Sequence, residues 1–288
     1  MYLSKQAGKN CFHLFDVAQD AAVKIQRDDL TRIQHALMHR EFVLYYQPKV
    51  NMRTGVVFGT EALIRWQHPT KGLLAPANFL PAVENHLFSI ELGEWVIGTA
   101  LAQMMQWREQ GLQLSISVNV GGLQLQQADF TQRLRKILEA YPPSLYPMLE
   151  LEILESSALD DIEKVSQVIQ CCQELGIRFA LDDFGTGYSS LRYLKRLPAE
   201  ILKIDQSFVR DMLEDEGDLA IIKGVIGLAA AFHRSVIAEG VETIEHGEKL
   251  LSIGCDHAQG YGIARPMPAA LIPEWIQQWR PAFKISDF

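Results

Sequence analysis

Carboxylate, amide and amine side chains end one short apolar run after another in this sequence. These residues are Glu61, Asn119, Glu152, Glu155, Asp182, Asp183, Lys203, Asp205, Glu239 and Glu242. Acids are seldom buried unless they are paired or bind a metal, so one acid at one run end would carry little information. Repetition at the same end of successive runs indicates that the ends converge on one polar site. A barrel of parallel strands brings its strand ends together in this way at its carboxyl-terminal face.

Four of these side chains, each from a different run, offer oxygen ligands for a hard divalent cation. They are Glu61, Asn119, Glu152 and Asp182. Mg²⁺ and Mn²⁺ prefer such ligands, whereas Zn²⁺ usually recruits His or Cys. Alternatively, single members only cap turns, but capping does not explain the shared strand end. Because Asp183 follows Asp182 directly, we predict that Asp182 bridges two metals and Asp183 binds the second, an arrangement suited to phosphodiester cleavage.

The candidates for activating a water and contacting phosphate are Lys203, Glu239 and Arg65. Lys203 would orient a metal-bound water or stabilise the hydroxide, while Glu239 takes its proton. The alternative for Lys203 is an ion pair with Asp205 at the barrel rim. Arg65 offers a planar fork suited to phosphate, or it supports a strand carboxylate.

Composition limits the class of protein. The chain has 288 residues, is 48% hydrophobic and carries a formal net charge of -8, which argues against a general nucleic-acid-binding surface. No apolar stretch is long enough to span a bilayer, and the first residues lack the apolar core of a signal peptide. The cysteines show no zinc spacing and predict reduced thiols in the cytoplasm. We therefore expect a cytoplasmic segment without nucleic-acid or membrane contact, in a protein that other segments could still anchor to a membrane.

Two kinds of pattern predict the elements that position these residues. EFVLYYQPKV and GVVFGTEALIRW read as strands joined by NMRTG, which predicts an antiparallel hairpin. From Leu114 onward, strand and helix patterns alternate, which is typical of a parallel sheet built from βαβ units. The principal helical patterns cover residues 27–40, 76–110, 125–140, 159–175 and 218–233.

An ordered set of motifs runs from about Leu30 to Trp279. The motifs are YYQPKV, EALIRWQHP, SVNV, LEILES, DDFGTGYSSL, LKID, AEGVET and QGYGIARPMP. In this set the chain resembles the EAL-domain phosphodiesterases that hydrolyse cyclic di-GMP. The resemblance implies an α/β fold, namely a modified TIM-type (β/α)8 barrel with an antiparallel first strand. It also implies hydrolysis to linear pGpG by in-line attack of a metal-bound hydroxide, which lowers a bacterial second messenger.

The same resemblance assigns roles to individual residues. Its metal ligands match Glu61, Asn119, Glu152, Asp182 and Asp183, its catalytic residues match Glu61, Lys203 and Glu239, and its substrate-binding positions match Gln47, Leu63, Arg65, Glu242 and Gln259. Glu155 matches the acid that supports the DDFGTGYSS loop, and we expect it to accept hydrogen bonds from groups such as those of Thr186 and Ser189. Gly185 and Gly187 permit the unusual backbone angles of a shaped loop, although a tight βα connection would use them too.

Cofactors and partners also follow from the resemblance. It implies two Mg²⁺ or Mn²⁺ ions per site, inhibition by Ca²⁺ and a homodimer. The alternative is a non-catalytic cyclic di-GMP receptor, but such domains usually lack metal ligands that are all present here. MYLSKQAGKNCFHLFD resembles the end of a GGDEF diguanylate cyclase domain. We therefore expect a GGDEF remnant over 1–20, a linker over 21–29 and the EAL domain over 30–288, with GGDEF and sensory domains upstream; the alternative is an ordinary N-terminal extension.

Overall fold

The computed structural model describes residues 29–187 and 191–283 and shows an α/β barrel. Its strands are β1 (Phe42–Asn51), β2 (Val57–His68), β3 (Gly72–Leu74), β4 (Ser115–Asn119), β5 (Leu149–Leu154), β6 (Arg178–Phe184), β7 (Ile201–Ile204), β8 (Ser235–Ala238), β9 (His257–Ala258) and β10 (Met267–Pro268). Eight of them form the ring in the order β1, β2, β4, β5, β6, β7, β8 and β9, and β9 pairs with β1 to close it. β3 and β10 extend β2 and β1.

The first strand runs against the others, as predicted. β1 and β2 form an antiparallel hairpin, whereas the barrel pairs from β2–β4 to β8–β9 are parallel. In the turn, the Asn51 side chain accepts the N–H groups of Arg53 and Thr54 at 3.0 and 2.9 Å. Gly55 closes the turn with a φ of 74°, which glycine adopts without strain. The predicted barrel with an antiparallel first strand is therefore confirmed.

Helices follow the strands around the barrel. They are α1 (29–38), α2 (Phe88–Glu109), α3 (Gly122–Leu125), α4 (Phe130–Leu138), α5 (Glu155–Asp160), α6 (Ile162–Gln173), α7 (Leu191–Arg196), α8 (Gln206–Asp211), α9 (Glu216–Ala231), α10 (Ile244–Ser252) and α11 (Ile272–Gln278). Among the described residues, no helix combines the length and apolar character that a membrane-spanning helix needs.

The predicted helix over 76–110 is wrong in its first third. Short 3-10 turns occupy Pro76–Asn78 and Leu80–Ala82, and the α-helix begins only at Phe88. Pro81 lacks an N–H group and its ring would clash with the preceding turn of an α-helix, which prevents one continuous helix.

Aspartate caps set the boundaries of two other predicted helices. The pattern over 159–175 is broken at Asp161, whose φ is -147° and whose side chain accepts the Lys164 N–H at 3.2 Å. Asp215 accepts the Gly217 N–H at 2.6 Å and so begins α9 at Glu216 rather than at 218. The pattern over 125–140 is likewise divided, into α3 and α4.

The strand β5 shows how the barrel separates its polar interior from its apolar exterior. Its sequence LELEIL alternates, and successive side chains of a strand point to opposite faces. Leu151 belongs to the main hydrophobic core that also contains helix residues such as Leu101, whereas Glu150 and Glu152 are buried and form ion pairs. Ala180, Ile201 and Ile237 form a small, separate apolar cluster.

The predicted domain division concerns mainly residues that the structure does not describe. The predicted GGDEF remnant and all but the last residue of the predicted linker lie outside the described residues. The division therefore stays a prediction.

Candidate functional site

The predicted metal ligands lie together at the barrel mouth, the end of the barrel where the parallel strands finish. Glu61, Glu152 and Asp182 are buried, and Asn119 is exposed at the end of β4. Asn119 pairs with Glu152 across the β4–β5 ladder. Its Nδ2 atom also donates to Glu61 Oε1 at 2.7 Å. Side chains from four different strands thus reach one place.

Lys203 occupies the centre of this cluster. Its side chain is fully buried, and its Nζ lies 2.6 Å from Glu152 Oε2 and 2.6 Å from Glu239 Oε1. The same atom lies 3.0 Å from Asp182 Oδ1 and 3.6 Å from Glu61 Oε2. Burial alone would lower the pKa of Lys203, but the four carboxylates outweigh it and raise this pKa well above its ordinary value. The alternative, an ion pair of Lys203 with Asp205, is wrong, because Asp205 instead caps α8 by accepting the Ser207 N–H at 3.0 Å.

Four carboxylates surround one ammonium group, so the cluster carries surplus negative charge. Burial and this surplus shift the pKa values of the carboxyl groups in the cluster. Burial and the charge of Glu152 raise the pKa of Glu61 to about 7. Burial also raises the pKa of Glu239 well above its ordinary value, against the attraction of Lys203. Burial would raise the pKa of Glu152 too, but the charges of Lys203 and Lys49 outweigh it and lower this pKa to about 2. Glu152 is therefore ionised, while Glu61 and Glu239 hold protons easily.

A bulge in β6 turns two consecutive acids into the same site. The β6–β7 register shifts between Leu181 and Phe184, and Asp183 has a φ of 53°. In a regular strand, the side chains of Asp182 and Asp183 would point to opposite faces. Here carboxylate oxygens of Asp182, Asp183 and Glu239 lie within 4.8 Å of one another. Burial and the neighbouring Asp182 raise the pKa of Asp183 to about 6.

The residues at the barrel mouth fit a divalent cation. Glu152 Oε1 and Asp182 Oδ1 are buried and face the ammonium groups of Lys49 and Lys203 at 3.6 and 3.0 Å, but neither accepts a hydrogen bond of regular geometry from the described residues. The donors are carboxylate and amide oxygens, which hard cations such as Mg²⁺ and Mn²⁺ prefer. Bound cations would also offset the surplus negative charge that otherwise raises the pKa of Glu61 and Asp183.

Two glutamines hold Glu61 in place. Gln259 Nε2 donates to Glu61 Oε2 at 2.7 Å and to Gln47 Oε1 at 2.9 Å. Gln47 Nε2 in turn donates to the Ala264 carbonyl at 2.9 Å. With the Asn119 amide on Oε1, both oxygens of the Glu61 carboxylate are fixed. Gln47 and Gln259 therefore orient a predicted ligand as well as line the cavity.

A polar cavity of about 260 Å³ opens at the barrel mouth. It is lined by Glu61, Asn119, Asp182 and Glu239 from the cluster and by Leu63, Glu242, Gln206 and Tyr261 at its edge. Arg65 lies beside this cavity without lining it. Its guanidinium lies over the Tyr45 ring, 5.7 Å from the ring centroid, and donates to the Ile64 carbonyl at 2.9 Å.

A second, mainly apolar cavity of about 410 Å³ adjoins the first. The two cavities share Leu63 and Asn119. Leu80, Val96 and Leu154 contribute apolar walls to the second one. A ligand that carries both anionic groups and a flat apolar ring could therefore occupy both cavities at once.

Glu155 contacts the loop that follows β6 through a backbone N–H of that loop, although not that of Thr186. Its Oε2 accepts the Gly185 N–H at 3.0 Å, and a Cβ at Gly187 would lie 3.3 Å from its Oε1. The expected bond from Thr186 is wrong, because the Thr186 hydroxyl donates to the Asp183 carbonyl at 2.8 Å. Ser189 lies outside the described residues.

Three buried polar residues below the ligands are absent from the sequence prediction. Lys49 Nζ lies 2.7 Å from Glu150 Oε1, 3.0 Å from Ser117 Oγ and 3.6 Å from Glu152 Oε1. The sequence does hold a signal for them, because Gln47 and Lys49, like Glu150 and Glu152, are two residues apart and share one face of a strand.

Comparison with known proteins identifies the family. The family model described as EAL domain matches residues 30–266. The chain belongs to the EAL domain family. The bifunctional diguanylate cyclase/cyclic di-GMP phosphodiesterase MucR of Pseudomonas aeruginosa is 40% identical over 271 residues, which cover 93% of this chain and 39% of that protein. The cyclic di-GMP phosphodiesterase PdeR of Escherichia coli is 34% identical over 279 residues, which cover 97% of this chain and 42% of PdeR.

Solved structures agree with this assignment. The PaMucR phosphodiesterase in complex with c-di-GMP is 40% identical and superposes with a TM-score of 0.81, covering 85% of this chain and 99% of that one. This EAL chain spans about two fifths of the length of the curated relatives described above.

Proposed function

We propose that this chain hydrolyses cyclic di-GMP to linear pGpG with the help of divalent cations. The observation that carries the proposal is the cluster of four carboxylates around Lys203 at the barrel mouth, which has oxygen donors and surplus negative charge suited to cations. The EAL family and the named activities of MucR and PdeR supply the substrate class.

Five side chains would hold Mg²⁺ or Mn²⁺, two ions per site. Glu61, Asn119, Glu152 and Asp182 would bind the first ion, and Asp182 with Asp183 would bind the second. Ions held there would supply Lewis-acid activation of a water and positive charge beside the phosphate. Ca²⁺ would inhibit, because its larger and looser coordination positions these groups poorly.

Glu239 would accept the proton of the attacking water, and Lys203 orients Glu239. The Glu239 carboxylate, ionised when cations offset the surplus negative charge of the cluster, would accept the proton of the attacking water. Lys203 lies 2.6 Å from Glu239 Oε1 and fixes the orientation of that carboxylate. The water then attacks phosphorus in line, and the 3′ oxygen of the sugar leaves to give the linear dinucleotide.

The two cavities would receive different parts of the substrate. The polar cavity, with Gln47, Gln259 and Glu242 in its walls, would take a phosphate and its sugar. The apolar cavity would take a base, and Leu63 lies between the two. Arg65 would contact phosphate after leaving the Tyr45 ring, or would support the pocket from where it stands.

The surroundings of the EAL unit form a further part of the proposal. The EAL unit acts as a homodimer in the cytoplasm, downstream of GGDEF and sensory domains. A membrane anchor, where one exists, lies in other segments of the full-length protein. The free thiols of Cys171, Cys172 and Cys255 support a reducing compartment, and the greater length of the relatives supports further domains. The homodimer rests on the family resemblance alone. Sedimentation of the purified chain tests the dimer.

The test of activity is a product assay. The purified chain is incubated with cyclic di-GMP and Mn²⁺, and the nucleotides are separated by chromatography. We expect pGpG to appear with the parent and with Glu139→Gln, a change at an exposed glutamate that caps the carboxyl end of α4 and lines neither cavity, but not with Glu61→Gln. Tight binding of cyclic di-GMP without any product would identify a receptor instead of an enzyme.

A further inference from the structure

A second buried lysine lies one layer below the proposed metal site. Lys49 is 1% exposed and pairs with Gly59 in the β1–β2 ladder, two residues before Glu61 on β2. Because β1 runs antiparallel, this position near its carboxyl end lies toward the amino ends of the parallel strands. Lys49 therefore points its charge into the barrel interior from beneath the ligands.

The barrel is built around this side chain. A Cβ at Gly59 would lie 3.3 Å from Lys49 Cε and 3.2 Å from the Ser115 carbonyl oxygen, so a larger residue there would press on the lysine. The Lys49 ammonium is fixed by Glu150 Oε1 at 2.7 Å and by Ser117 Oγ at 3.0 Å. A buried charge persists only when such partners compensate it, so Lys49 has little freedom to move.

Glu152 is held between two ammonium groups. Lys203 contacts its Oε2 at 2.6 Å from one side, and Lys49 lies 3.6 Å from its Oε1 on the other. The terminal torsion of a glutamate side chain has a broad energy profile, so the carboxylate plane needs external contacts to define it. Lys203 fixes Oε2, whereas Oε1 faces Lys49, and the Ser117 side chain that anchors Lys49 also interacts with this carboxylate.

We propose that Lys49, anchored by Glu150 and Ser117, is a positioning residue that fixes the carboxylate of Glu152 for cation binding. The inference rests on the proposed function, because Glu152 must be a metal ligand for its orientation to matter. Groups that orient metal ligands from outside the coordination sphere typically change metal affinity or activity by about 10- to 100-fold when they are lost.

The competing explanation is that Lys49 only neutralises Glu150. The two explanations predict opposite changes in cation affinity when Lys49 is replaced by a neutral residue. Removing a positive charge near the site would strengthen cation binding by Coulomb attraction alone, whereas losing the orientation of Glu152 would weaken it. The double variant Lys49→Met/Glu150→Gln removes one positive and one negative charge, so it keeps the net charge and leaves no unpaired buried ion.

The experiment measures Mn²⁺ binding to metal-free protein by electron paramagnetic resonance, beside thermal melting and steady-state kinetics. We expect the double variant to melt as a folded protein, to bind Mn²⁺ about 10-fold more weakly and to lose kcat with little change in the KM for cyclic di-GMP. The control is Arg53→Met/Asp256→Asn, which removes a more exposed ion pair of 2.9 Å and should bind Mn²⁺ like the parent.

Equal or tighter Mn²⁺ binding by the folded double variant would overturn the role of Lys49. If the double variant does not fold, Ser117→Ala removes one anchor of Lys49 with little change in volume, and it should weaken Mn²⁺ binding several-fold; parental affinity would again refute the role. Failure of the parent itself to bind Mn²⁺ would refute the proposed metal site, which distinguishes the two failures.

Discussion

Replacement of Glu61 by glutamine should stabilise the metal-free protein at high pH while abolishing activity. Glu61 is 6% exposed, and burial together with the charge of Glu152 raises its pKa from the ordinary value of 4.5 to about 7. The folded state therefore holds this proton more tightly than the unfolded state does. The resulting stability is complete below pH 4.5 and is lost as the pH rises through about 7.

The size of the effect follows from the two pKa values. A rise from 4.5 to about 7 corresponds to about 3 kcal/mol of stability, since one pKa unit is worth about 1.4 kcal/mol. The introduced glutamine would also mismatch one of the two donors, Asn119 Nδ2 or Gln259 Nε2, at a cost of about 1–3 kcal/mol. That cost does not depend on pH, so the comparison between two pH values removes it.

The assay is urea unfolding of the parent and the variant at pH 4.5 and pH 8, in chelator. We expect the parent to lose about 3 kcal/mol more than Glu61→Gln between these pH values. Mn²⁺ should then restore stability to the parent at pH 8 and much less to the variant, because the variant lacks a ligand. Glu139→Gln, at an exposed position, is the control and should follow the parent. If the free energy of unfolding changes equally with pH in the parent and in Glu61→Gln, the surplus of buried negative charge is refuted.

Three further substitutions test the other parts of the site. Asp183→Asn keeps a residue that tolerates a φ of 53° but removes a charge, so half-maximal activity should need about 10-fold more Mn²⁺; an unchanged metal dependence would count against the second ion. Arg65→Lys keeps the charge but loses the planar fork, and steady-state kinetics should show the KM for cyclic di-GMP rise by about 10-fold; unchanged kinetics would assign Arg65 a structural role. Glu155→Ala removes the acceptor of the Gly185 N–H. Thermal melting should show a loss of about 1.5–3 kcal/mol in folding stability, and a Mn²⁺ titration should show weaker metal binding by a folded barrel. Parental values in both measurements would show that the loop needs no such contact.

The barrel and the meeting of polar side chains at its mouth were predictable because both depend on patterns that repeat along the chain. Alternating strands and helices indicated the parallel sheet, and the Asn51 turn indicated the hairpin that reverses β1. Oxygen donors at the same end of successive strands indicated that they meet, and Glu61, Asn119 and Glu152 do meet.

The remaining features depend on backbone geometry and on distant partners. The β6 bulge that turns Asp182 and Asp183 the same way is a change of register against β7, which the sequence of β6 alone does not specify. Lys49 shares a strand face with Gln47, but only the closed barrel places its partner Glu150 beside it, 101 residues away along the chain. The prediction of a helix over 76–110 is wrong for a local reason. Pro81 lies within an apolar pattern typical of a helix, but its ring is incompatible with the interior of an α-helix.

The location of the cations is the central claim, and an anomalous diffraction measurement on crystals soaked with Mn²⁺ tests it most directly. Two anomalous peaks are expected at the barrel mouth, one among the side chains of Glu61, Asn119, Glu152 and Asp182 and one beside Asp183, and Glu61→Gln should lose at least the first. A protein that hydrolyses cyclic di-GMP with Mn²⁺ yet shows no peak among these side chains would contradict the account.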